Sequence, residues 1–120
     1  MRADCHMHTY FSGDSEAKPE EMVLAAIDKG LEAICFTDHE DIDYFCDDIE
    51  FVFDPETYFK ELGALKEKYK EKLDIRIGVE FGLQPHLAKK AKAFTAANPY
   101  DFVIGSMHVV GGKDPYYPEF

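Results

Sequence analysis

Four of the five histidines stand at or just beyond the C-terminal ends of short apolar segments, and a glutamate stands near the end of another. His6 and His8 close Ala3-Asp4-Cys5-His6-Met7-His8, and His39 follows Ala33-Ile34-Cys35-Phe36-Thr37-Asp38. Glu80 lies in Ile77-Gly78-Val79-Glu80-Phe81-Gly82, and His108 follows Phe102-Val103-Ile104-Gly105-Ser106-Met107. Imidazole nitrogens and carboxylate oxygens are ligands for divalent cations. In a strand, side chains alternate between faces, so His6 and His8 project together while Cys5 and Met7 project the other way. Two such nitrogens can grip one ion or two neighbouring ions. An HxH pair is a weak signal by itself; the remainder of the set turns it toward a metal.

Each further member also has a plainer reading. Asp14, in Ser12-Gly13-Asp14-Ser15, can swing into the same site from the loop after the first strand, or it can serve as a turn or helix-capping residue. His39 and His108 can be hydrogen-bonded histidines at strand ends. Glu80 is more telling, because an unpaired carboxylate inside an apolar strand is costly, and a metal or cationic partner is the usual resolution. His86, beside Pro85, reads as a surface residue.

Mixed nitrogen and oxygen donors suit Zn, Mn or Fe better than Ca or Mg. Six candidates, His6, His8, Asp14, His39, Glu80 and His108, exceed what one tetrahedral ion takes, which implies at least a dinuclear centre of divalent ions about 3.5–4 Å apart. Such a centre lowers the pKa of water toward neutrality and clamps a phosphoryl oxygen. It would supply a nucleophile to a chain with no GxSxG, P-loop or GxGxxG pattern.

These residues need a scaffold that gathers them. β-type composition marks Ala3 to His8, Ala33 to Thr37, Ile75 to Phe81 and Phe102 to Met107. Between them, helical periodicity marks Pro19 to Lys29, with Gly30 as its stop, then Asp54 to Leu73, with Asp54 as cap, then Pro85 to Ala97, ended by Asn98-Pro99. Alternating strands and helices predict an α/β fold of parallel βαβ units, because a parallel neighbour needs a crossover long enough to hold a helix. In such folds ligands gather at the C-terminal edge of the sheet, where all the candidates fall. Glu40 to Glu56 reads as a long acidic loop, solvated or able to hold a cationic amine through Asp41 and Asp43. Four strands followed by Tyr116-Tyr117-Pro118-Glu119-Phe120 is an abrupt end for a domain, and the expectation is one partial domain over residues 1–120, truncated at Phe120.

A composition 46% hydrophobic, with ten Phe and seven Tyr, supplies core material. The net charge of -11 argues against nucleic acid or anionic membrane as a partner. The N-terminus lacks a signal-peptide core and no apolar run spans a bilayer, so the expected location is cytoplasmic. Cys5, Cys35 and Cys46, odd in number and without CxxC spacing, are expected to be reduced and mostly buried. Oligomeric state is not legible.

Together the motifs resemble the PHP superfamily, named for polymerase and histidinol phosphatase. His6-Met7-His8-Thr9 through Ser12-Gly13-Asp14 is similar to its first motif, Thr37-Asp38-His39 to its second and Gly78-Val79-Glu80 to its third. Asp101 through His108 is similar to the segment carrying the next histidine, and resembles the histidinol-phosphatase branch. The resemblance implies the first part of a distorted seven-stranded β/α barrel with a di- or trinuclear centre, hydrolysing L-histidinol phosphate, a small phosphate ester, in histidine biosynthesis. It also implies that all six candidates are metal ligands, that Glu80 bridges ions, and that Glu80 and His108 are catalytic. The family pattern has a further histidine, a terminal Asp-x-His pair and basic phosphate-binding residues, and no position after His108 matches them. Two alternatives stand beside this reading: a phosphoesterase for another phosphate ester or nucleotide, and a non-catalytic metal-binding module.

Overall fold

The computed structural model describes residues 2–42, 52–111 and 113. Cys46, most of the acidic run and Tyr116 to Phe120 lie outside the described residues. Four strands, β1 (Ala3–Met7), β2 (Ala33–Glu40), β3 (Asp74–Gly82) and β4 (Phe102–Ser106), alternate with helices α1 (Pro19–Asp28), α2 (Pro55–Lys68) and α3 (Ala88–Ala97). A 3-10 turn, Pro85–Leu87, leads into α3.

All strand pairs are parallel and the order is β1-β2-β3-β4. Right-handed crossovers taken always in one direction place every helix on the same face of the sheet, and the packing agrees. Ile34 and Phe36 of β2 and Ile75 and Ile77 of β3 form one cluster with Val23 and Ala26 of α1 and Tyr58, Leu62 and Leu65 of α2. On the same side, Phe81 meets Phe94 of α3 with ring centroids 5.4 Å apart. The other face carries the alternate residues, in register pairs Cys35↔Arg76, Thr37↔Gly78 and His39↔Glu80. The four strands thus curl into a half-barrel with helices outside, the expected β/α arrangement.

Local sequence explains the helices. Pro19 occupies the first turn of α1, Glu20 and Glu21 complement its N-terminal dipole, and Gly30 follows with φ 78°, the left-handed stop that glycine adopts without strain. The Asp54 side chain accepts from the Thr57 amide and hydroxyl to cap α2. Tyr58, fully buried, reaches from α2 to the sheet: its hydroxyl donates to the Gly78 carbonyl at 2.9 Å and accepts from the Asp38 amide at 3.3 Å. No helix among the described residues is long and apolar enough to cross a membrane.

Three departures of the fold from the sequence reading stand out. β2 runs on to Glu40 rather than stopping at Thr37, because pairing with β3 continues through Asp38↔Val79, His39↔Glu80 and Glu40↔Phe81. α2 ends at Lys68 rather than near Leu73, which is buried from the turn that follows. Of the two described cysteines only Cys35 is buried, its thiol pushed up to about 12 by desolvation; Cys5 is exposed because β1 is an edge strand.

Candidate metal centre

β2 and β3 supply the floor of the site. His39 and Glu80 are register partners on the face away from the helices, and both are buried. β1 enters from one side, its pairing with β2 shifting between Asp4 and Met7. Met7 then packs on the helix-side core, which sends His6 and His8 to the opposite face. β4 enters from the other side and delivers His108 just past its end.

The loop carrying Asp14 is tied down by a buried carboxylate. Asp38 has no exposed surface; it accepts from the Thr9 amide at 2.5 Å, the Thr9 hydroxyl at 3.0 Å and the Ser12 hydroxyl at 2.7 Å. The Ser12 hydroxyl in turn accepts from the His39 amide at 2.9 Å. These bonds fix the first loop against β2 and answer the charge of Asp38, whose carboxyl is pushed up by burial against the pull of those donors.

Glu80 is the hub. Its Oε1 meets Nε2 of His6 and, at 3.0 Å, Nε2 of His8, while the two imidazole nitrogens lie 3.2 Å from each other. Its Oε2 meets Nε2 of His108 at 2.6 Å and Nδ1 of His39 at 3.6 Å. A third cluster forms as Asp14 approaches Nε2 of His39 at 3.2 Å and Nδ1 of His8 at 3.7 Å. Each of the sets His6–His8–Glu80, His8–Asp14–His39 and His39–Glu80–His108 offers donor atoms within 4.8 Å of one another.

The electrostatics follow from this crowding. Burial works against ionisation of Glu80, but hydrogen bonds from His108, His8 and His6 prevail and hold the carboxyl far below the usual range. Asp41 and Glu80 together push the His108 imidazole up to about 10 against the opposing effect of burial, and Glu80 raises His8. The donor chemistry fits divalent cations. Two imidazole nitrogens and a carboxylate oxygen converge on one point, and a single proton can lie between only two of them at a time. A cation satisfies all three together.

All six sequence-predicted residues therefore meet at one rim, whereas His86 sits exposed on the 3-10 turn and belongs to none of the three donor sets. Asp41, read as part of a solvated acidic loop, is not solvated: it is buried and receives Nδ1 of His39 at 2.9 Å and Nδ1 of His108 at 2.6 Å. Asp43 lies outside the described residues. The clue to Asp41 was present, since the period-two rule that aligns His6 with His8 aligns His39 with Asp41 equally well. Asp38, Thr9 and Ser12 were not singled out, and their role depends on a long-range loop contact that no local pattern announces.

Comparison with known proteins agrees with this geometry. The PHP domain family model matches residues 4–120. The histidinol-phosphatase of Lactococcus lactis is 37% identical over 115 residues, covering 96% of this chain and 42% of that protein. A probable histidinol-phosphatase of Clostridium acetobutylicum is 37% identical over 116 residues, covering 97% and 43%. Among solved structures, histidinol phosphate phosphatase from Lactococcus lactis, complexed with zinc, L-histidinol and phosphate, superposes with a TM-score of 0.89 at 39% identity, over 94% of this chain and 42% of that one. The chain thus spans less than half the length of the relatives it matches.

Proposed function

The chain belongs to the PHP domain family, and on that premise we propose that residues 1–120 form one phosphoesterase unit serving metal-dependent hydrolysis of L-histidinol phosphate to L-histidinol and phosphate. The observation that carries this reading is the convergence of His6, His8 and His108 on the two oxygens of buried Glu80. The zinc, L-histidinol and phosphate of the Lactococcus lactis structure support the choice of metal and substrate.

In this reading two or three divalent ions, zinc first among Zn, Mn and Fe, are held by His6, His8, Asp14, His39, Glu80 and His108. Bound cations would supply Lewis acidity and draw the pKa of water toward neutrality. The chain's own residues do the placing. Glu80 turns one oxygen toward the β1 histidines and the other toward His108, so its carboxylate would help hold a cation on either side. Asp14 and His39 would hold a further one on the loop side. Burial of the floor keeps the charged groups in a weakly screening environment, where they act more strongly on a phosphoryl group than they would in water. A cytoplasmic role in histidine biosynthesis belongs to the same reading.

The test is phosphate release by the full-length chain, metal-loaded and chelator-stripped, from L-histidinol phosphate and a panel of phosphomonoesters and nucleotides. Metal-dependent release favouring L-histidinol phosphate is the expected result. Uniform turnover of the panel would replace the substrate assignment with a general phosphoesterase. Metal bound in stoichiometric amount without any release would leave a non-catalytic metal-binding module.

A further inference from the structure

Asp41 stands apart from the donor sets. It follows β2, its side chain is only 4% exposed, and it touches the cluster through the backs of two rings: Oδ2 receives Nδ1 of His39 and Oδ1 receives Nδ1 of His108. Those histidines arrive from different strands, with β3 between them. Room for the carboxylate exists because residue 82 is glycine: a Cβ there would lie 1.8 Å from Asp41 Oδ1. A bare stretch of β3 backbone therefore seats a carboxylate that spans from one imidazole to the other.

We propose that Asp41 is a positioning residue that holds the proton on Nδ1 of both His39 and His108, so that each ring turns an Nε2 lone pair toward the cations. The inference rests on the metal-centre reading above. An ionised carboxylate only accepts, so a ring that gives its Nε2 lone pair to a cation, and is therefore neutral, must donate to that carboxylate from Nδ1. The Nε2 atoms point where the proposal needs them, that of His39 at Asp14, 3.2 Å away, and that of His108 at Glu80, 2.6 Å away. Nδ1 of His39 also lies 3.6 Å from Glu80 Oε2, but the 2.9 Å contact to Asp41 is the shorter and holds the proton. Both carboxylate oxygens are used, one per ring, which distinguishes aspartate from asparagine. An amide offers one acceptor and one donor, so the ring facing its NH2 would have to accept at Nδ1 and move its proton to Nε2, where a cation should bind.

The experiment uses the full-length chain with 15N-labelled histidine. Two-bond proton–nitrogen NMR spectra of the zinc-loaded protein are expected to show Nδ1 protonated and Nε2 metal-bound in both His39 and His108. In Asp41→Asn, zinc affinity by chelator competition should fall on the order of ten- to hundredfold, the range for partners that orient ligands. One of the two rings should lose its Nδ1–H pattern while His6 and His8 keep theirs. Gly82→Ala, which displaces the carboxylate without altering it or either ring, should lower affinity in the same direction. Zinc found on Nδ1 of either ring in the unaltered chain would overturn the proposal, as would Asp41→Asn with unchanged affinity and both Nδ1–H patterns intact. The first of these measurements needs no variant, so a misfolded Asp41→Asn still leaves a decisive result. Failure of the unaltered chain to bind zinc at all would instead remove the metal-centre reading itself.

Discussion

The central strands and the flanking strands contribute to the same site from opposite physical circumstances. β2 is buried along its whole length and β3 nearly so, while β1 and β4 are mostly exposed. Glu80 and His39, on the central pair, have side chains only 4% and 10% exposed; His6, on an edge, is 55% exposed. The centre fixes its donors through the core beneath them and the ladder on both sides. The edges fix theirs through the donors themselves, since His6 and His108 reach inward to the same glutamate. The fold thus builds the site at its centre, and the site in turn holds the edges.

The largest test of this contrast is Phe36→Ala on β2. Phe36 has no exposed surface and packs within the helix-side cluster, so truncation should cost about 3–5 kcal/mol by denaturant unfolding. Phe102→Ala on β4, where the ring is 45% exposed, should cost under about 1 kcal/mol. Comparable losses at the two positions would erase the distinction. Next comes Glu80→Gln, which removes the charge shared by two of the three donor sets. Zinc affinity should fall on the order of a hundredfold or more, at or beyond the upper range for groups that orient ligands. In the unaltered chain zinc should slow hydrogen exchange in β1 and β4 far more than in β2 and β3, and in Glu80→Gln that selective protection should vanish.

The same contrast explains what the sequence made legible. The central strands announce themselves as apolar runs, and the helices by caps and periodicity, because both signals are local. The convergence of His6, His8, His39, Glu80 and His108 was legible as well, since parallel β/α units send every strand end to one edge. The tethering of the Asp14 loop was not, because Thr9, Ser12 and Asp38 meet only after β1 and β2 have paired. The continuation of β2 was hidden for a related reason. Asp38, His39 and Glu40 look like the polar start of a loop until cross-strand pairing and buried hydrogen bonds are known.

A milder perturbation is His6→Ala. His6 belongs to one donor set and is the most exposed of the histidines around Glu80, so zinc affinity should fall about tenfold, near the lower end of the same scale. Removal of His8, which joins two sets, should cost more. If the two substitutions prove equal, exposure is a poor guide to what the edge contributes.

The smallest effect isolates the edge from the site altogether. Val79 and Val103 are register partners on neighbouring strands, Val79 without exposed surface and Val103 40% exposed. Replacing valine by threonine keeps shape and β-branching at both positions and changes only one methyl to a hydroxyl. At residue 79 the hydroxyl is buried without an obvious new partner and should cost about 1–3 kcal/mol. At residue 103 water can reach it, and the change should stay within about 0.5 kcal/mol. Equal costs in thermal or denaturant unfolding would mean that the outer side of β4 is covered in solution. The edge would then be held by packing as firmly as the centre, rather than by the donors it delivers to Glu80.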